Sequence, residues 1–149
     1  MTRVVVLALT LLLAATALAA AGAACRPTAP DALGPFYEPG APARSATGRG
    51  LVLAGVVRST AGCAPLAGAT LEWWSADPSG RYDAAHRATQ RADGAGRYRY
   101  ETSFPGVYPG RPAHLHVRVG APGHRVLVTQ VYPARGQTAL AQDFVLVAE

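Results

Sequence analysis

The sequence predicts an all-β protein, an antiparallel two-sheet β-sandwich of the Greek-key kind behind an N-terminal signal peptide. Three observations predict it. Short apolar or alternating runs recur at residues 51–57, 70–76, 97–102, 113–119, 125–132 and 143–148. Glycine and proline, 16 and 12 of the 149 residues, cluster between those runs and so punctuate them as turns. After the first residues, no stretch keeps a helical period.

The chain opens with Arg3, an apolar run over residues 4–18, and the small-residue stretch AAAGAA just before Cys25. That order is a signal peptide with cleavage expected after Ala23 or Ala24, because no basic stop-transfer flank follows the apolar run. The remaining chain, about 125 residues, is one domain's worth. Export sets an oxidising context for the two cysteines, and a Cys25–Cys63 disulfide is expected, with lipidation of Cys25 as the alternative. The expected location is therefore periplasmic or secreted, or lipid-anchored in the alternative case. The formal charge is +5, and every cation is arginine. The arginines are scattered, with no basic run or recognition motif, which argues against a nucleic-acid partner and fits a solvated surface that draws in anionic aromatics.

Residues 25–49 read as an irregular arm rich in Pro, Gly and Ala, pinned to the body by the two aromatics of GPFY, Phe36 and Tyr37. Residues 50–149 form the sandwich. Residues 51–57 are a buried-type strand, and residues 70–76 a second one carrying Trp73 and Trp74. The polar stretch 83–91 reads as a loop. In residues 113–119 the alternation places Leu115, Val117 and Val119 on one face and His114, His116 and Arg118 on the other.

Two imidazoles from one strand face suit iron, copper, zinc or nickel. No carboxylate accompanies them, and His86 and His124 stand alone on polar loops, where both should be solvated. What lies nearby is phenol, Tyr108 before the pair and Tyr82 after the tryptophan strand. A phenol ionises near pH ~10 in water, so only a strongly charged cation holds it as phenolate at neutral pH, and Fe(III) is the natural candidate.

GPFY, GATLEWWSADPSGRY, DGAGRYRYET, FPGVYPGRPAHLH and TQVY together resemble the intradiol ring-cleavage dioxygenases, the group of catechol 1,2-dioxygenase and protocatechuate 3,4-dioxygenase, and in particular their small exported relatives. The resemblance implies Fe(III) held by Tyr82, Tyr108, His114 and His116. It makes Arg111 the arginine that steadies negative charge on the ring and Gln130 a glutamine near bound substrate. Trp74 takes the family's tryptophan position, and Trp73 is core. The implied reaction opens a catechol with O2 between its hydroxyl-bearing carbons, giving a cis,cis-muconate, with Tyr108 giving way as catechol binds.

The chain departs from the family pattern in two places. Only Pro109 and Gly110 separate Tyr108 from Arg111, where the family carries a longer segment, and the family's N-terminal helices or partner-subunit segments have no counterpart here. A shallow site open to bulky catechols is the expectation, and a homodimer is left open. Two other readings stand beside the enzyme. One is a non-catalytic transthyretin-like or carbohydrate-binding sandwich. The other is a zinc or copper site on His114, His116 and a loop histidine, which Tyr82→Phe would leave able to hold its metal.

Overall fold

The computed structural model describes residues 25–149, so the expected signal peptide lies outside the described residues. Among the described residues there is no helix. Eight strands run in chain order: β1 (Leu51–Ser59), β2 (Thr70–Ala76), β3 (Tyr82–Arg91), β4 (Arg97–Thr102), β5 (Leu115–Gly120), β6 (Leu127–Val131), β7 (Ala139–Ala141) and β8 (Phe144–Leu146). They make two four-stranded sheets. One has the order β4-β1-β7, with β8 also paired to β1, and the other has the order β3-β2-β5-β6.

Most of the pairing is antiparallel, as the alternating runs imply, but β7 and β8 join β1 in parallel. Residues 83–91 are not a loop. They form most of β3, paired with β2 from Thr70↔Arg91 to Trp74↔Arg87. The strand looks polar because, of its residues, only Ala88 belongs to the core, while Arg87 and Thr89 lie on the opposite face. The short β7 carried too little alternation to be legible.

The two sheets close on one apolar core. Leu71, Trp73, Leu115, Val117 and Val119 face Leu51, Leu53, Val57, Tyr98, Tyr100 and Phe144, all of them buried. Trp73 is its hub, stacked on Tyr100 at 4.6 Å between ring centroids and packed beside Tyr98 and Phe144. Each such large side chain withdraws enough apolar surface to contribute about 1.5–3 kcal/mol.

The arm runs over the other face of the β3-β2-β5-β6 sheet. Cys25 is joined to Cys63 in a disulfide, Cα atoms 5.1 Å apart. Asp31 N then donates to Val128 O (2.9 Å) along β6. Across the sheet, Thr89 N of β3 donates to Pro42 O (2.8 Å) and Arg44 N to Thr89 O (3.0 Å). Both edges of the sheet are thereby paired, which removes the open strand edges that invite aggregation. Residues 32–40 bridge the two attachments, above the face that carries His116.

Candidate metal centre

Register decides which side chains meet on that face. His116 of β5 lies opposite Trp74 of β2 and Gln130 of β6. Tyr82 enters from the start of β3, just past a register shift between Trp74 and Ala76, and such an irregularity re-aims a side chain. Tyr108 and Arg111 come from the turn before β5, where Arg111 N bonds Tyr108 O at 3.1 Å and Gly110 adopts φ +81°. The two-residue link Pro109-Gly110 is thus a tight turn that presents both side chains together. Gly106 fixes this turn against the one before Tyr82, donating to Asp77 O at 3.0 Å. A Cβ there would sit 2.4 Å from Gly80 N and 2.6 Å from Asp77 O, so only glycine lets the two backbones touch.

All four predicted donors converge. Tyr82 OH lies 3.1 Å from His116 Nε2 and 3.3 Å from His114 Nε2. Tyr108 OH lies 3.4 Å from His114 Nε2, and the two imidazole Nε2 atoms are 3.1 Å apart. Donors bound at about 2 Å to a common ion, roughly 90–110° apart, would stand about 3 Å from one another, so the set fits a single cation.

The protonation states fit as well. His114 Nδ1–H donates to Pro112 O at 2.8 Å, which leaves Nε2 with a free lone pair pointing inward. Burial lowers the pKa of His114, and burial together with the neighbouring His114 lowers His116 to about 4, so both imidazoles are neutral at physiological pH. Burial, then the Tyr108 hydroxyl and its charge, push Tyr82 up, so its phenol needs a cation to ionise. Trp74 stacks flat on His116, 4.9 Å between centroids and 6° apart in plane, holding the ring in place.

Among the described residues no group of three or more His, Cys, Asp or Glu side chains is gathered as for a metal, so any ligand beside the two histidines would be of another kind. His86, which lies on β3, and His124 do not supply one. Contrary to the expectation that both are solvated, His86 and His124 are half-buried and bonded elsewhere. His86 Nδ1 meets Asp83 Oδ1 at 2.8 Å, and His124 Nε2 meets Ser59 Oγ at 2.8 Å.

Beside the donors, Arg111 Nη2 donates to Gln130 Oε1 and lies 3.5 Å from the Tyr132 hydroxyl. Gln130 Nε2 in turn donates to Ala32 O at 2.7 Å. The sequence reading missed the arm's share in this group. Tyr132 OH donates its one proton to Asp31 Oδ2 (2.8 Å) or to Gln130 Oε1 (2.9 Å). Phe36 stacks on Tyr82, and Tyr37 packs edge-on against Trp74 while its hydroxyl donates to Glu72 at 3.0 Å. The signal was present in GPFY and in the alternation of Gln130 and Tyr132 along β6, but neither stretch shows by itself what lies opposite.

No family model matches the chain. It is 34% identical over 152 aligned residues to the 6-chlorohydroxyquinol 1,2-dioxygenase of Cupriavidus pinatubonensis, covering 79% of this chain and 54% of that protein. The chain spans about half the length of the curated relatives it matches. Among solved structures, it matches the dioxygenase domain of a dioxygenase–carbohydrate-binding protein fusion from Streptomyces sp. SirexAA-E, with TM-score 0.75 and 32% identity, over 83% of this chain and 100% of that one. It also matches an intradiol ring-cleavage dioxygenase from Tetranychus urticae, with TM-score 0.69 and 26% identity, over 74% and 66% of the two chains.

Proposed function

This chain belongs to the intradiol ring-cleavage dioxygenases, and from that premise we propose that it binds Fe(III) through Tyr82, Tyr108, His114 and His116 and opens a catechol-type ring with O2. The cleaved bond lies between the two hydroxyl-bearing carbons, and both oxygen atoms enter a cis,cis-muconate-type product. The observation that carries this reading is the convergence of two phenol oxygens and two imidazole Nε2 atoms at 3.1–3.4 Å.

When bound, Fe(III) supplies the Lewis acidity and electron exchange that let an electron-rich catecholate meet O2. The protein supplies the rest. His114 and His116 present neutral lone pairs, fixed by Pro112 O and by the Trp74 ring. Tyr82 is anchored by the strand pairing of its backbone with Ala76. Tyr108 lies on the turn outside the strand ladders, and, held as a phenolate by the metal, it would be the donor placed to accept a proton from an incoming catechol hydroxyl. Arg111, aimed by Gln130 and Tyr132, holds a fixed positive charge where negative charge grows on the ring.

The mouth is open to substituted rings. Val107, Tyr132, Phe36 and Leu33 are exposed apolar side chains on the segments that bear or roof the donors. A groove of about 600 Å³, lined by Phe104, Val107, Pro112, Ala113, Pro133 and Arg135, borders the turn between Tyr108 and His114. Catechols with a bulky substituent are expected to be accepted alongside catechol, and a panel in which only plain catechol saturates would remove this part of the reading. Export is part of the reading too. The signal-peptide pattern of residues 1–24 and the Cys25–Cys63 disulfide support an oxidising compartment, and the disulfide occupies the sulfur a lipid anchor would need.

The test is the visible spectrum of the protein titrated with Fe(III), then with catechol under anaerobic conditions. Tyrosinate-to-iron charge transfer is expected to colour it, and catechol to shift the band. A colourless protein, unchanged by catechol, overturns the proposal.

A further inference from the structure

Tyr82 sits at the first position of β3, where the ladder has just resumed after a register shift. Its backbone is placed, but its ring needs walls to keep the hydroxyl aimed at the imidazoles. On one side, Tyr108 and His116 meet it at steep angles, 66° and 56°, with centroids 6.1 Å away. On the other side lies Phe36 of the arm, 4.2 Å away and only 17° from parallel, and among the described residues this is the one ring stacked face to face on Tyr82.

Phe36 cannot owe its position to burial, because 40% of it is exposed. Its main chain is held instead. Arg87 of β3, a buried cation only 7% exposed, donates from Nη1 to Phe36 O at 2.6 Å and from Nη2 to Glu38 Oε1 at 3.0 Å. A guanidinium in so dry a place is costly unless its fork is used, and here the fork grips the arm on both sides of Tyr37. Two residues before Phe36, Gly34, φ +72°, rests against His116, where a Cβ would stand 3.0 Å from Cε1.

We infer that Phe36 is a positioning residue for Tyr82, and that Arg87 acts one step further back by fixing Phe36. The arm is then the outer wall of the metal centre. This rests on the proposed ligand set and adds residues to it that act through Tyr82 rather than on the metal.

The experiment titrates Fe(III) into the metal-free wild type, Phe36→Ala, Phe36→Tyr and Arg87→Lys, in competition with a chelator. Affinity and the tyrosinate charge-transfer band are read together, and the melting of each metal-free protein is recorded. Phe36→Ala is expected to weaken Fe(III) by about 10–100-fold, the range seen when a ligand loses its supporting neighbour, and to lower the band per bound iron. Phe36→Tyr keeps the ring and restores both, while Arg87→Lys moves both in the same direction as Phe36→Ala by a smaller factor. A purely structural role would lower the melting temperature and leave the band per bound iron unchanged. Wild-type affinity and band in Phe36→Ala overturn the inference alone, whereas a wild type that binds iron without the band overturns the ligand set as well.

Discussion

The two faces of the β3-β2-β5-β6 sheet are built from the same strands, often from consecutive residues, yet they are different materials. Trp73 and Val117 point into the sandwich, and Trp74 and His116, one position away in each strand, point under the arm. The inner face is apolar and closed by the second sheet. The outer face holds Trp74, His116, Gln130 and the Glu72–Arg118 ion pair, and it is roofed by a single irregular segment. Both faces are buried, but the apolar burial that stabilises the fold is concentrated on the inner one, with Trp74 the main apolar side chain of the outer. The outer face spends burial on neutral imidazoles, a phenol with a raised pKa and a guanidinium. Its cover is a strap held by hydrogen bonds from Arg87, Gln130 and Thr129 to main-chain oxygens.

The sharpest way to break that contrast is one substitution on each face. Tyr82→Phe on the outer face is expected to abolish ring cleavage and the charge-transfer band. The metal-free protein should lose only about 1–3 kcal/mol, because the hydroxyl removed is half-buried and shared among the two histidines and the Tyr108 hydroxyl. Ring cleavage that survives in Tyr82→Phe would return the site to a histidine-only metal. Trp73→Ala on the inner face should do the reverse. It removes a side chain 1% exposed and stacked on Tyr100, costing about 3–5 kcal/mol of unfolding free energy, and the fraction still folded should bind iron as wild type does. Chemical denaturation gives the first quantity and iron titration at low denaturant the second. Equal loss of binding and stability in both variants would mean the faces are not separate.

The inner face was the more legible in sequence, and the reason is physical. Alternation reports which side of a strand is apolar, and it placed Leu115, Val117 and Val119 opposite His116 correctly. It failed for β3, where Arg87 and Thr89 meet the arm and so read as solvent-facing polarity, and for β7, which is three residues long. The residues alone offered the two histidines and two nearby phenols, Tyr82 and Tyr108, and the family resemblance joined them into one ligand set. Spacing brings His114 and His116 together, but Tyr82 reaches them through the turn contact of Gly106 with Asp77, which leaves no periodic trace. Phe36, Asp31 and Tyr132 were invisible as site residues because an irregular arm has no register from which to predict what it covers.

Acid separates the faces by a smaller effect. No histidine lies in the apolar core, while His116 on the outer face is held neutral, its pKa lowered from 6.5 to about 4 by burial and by His114. In the metal-free protein the unfolded chain therefore binds more protons than the folded one as the pH falls below about 6.5, and stability is lost from there until the folded imidazole also protonates near 4. The loss for this one group is at most about 3 kcal/mol, from a difference of roughly 2.5 pH units. Above pH 6.5 the contribution is complete and does not change. Melting curves of metal-free wild type and His116→Leu between pH 8 and 4 test it. The wild type is expected to lose stability through this window and the variant to be markedly flatter, with only the smaller share from His114, which burial lowers in the same direction. Parallel curves for the two proteins would mean that the acid sensitivity belongs to groups away from the centre, and that the outer face is less costly to bury than its composition implies.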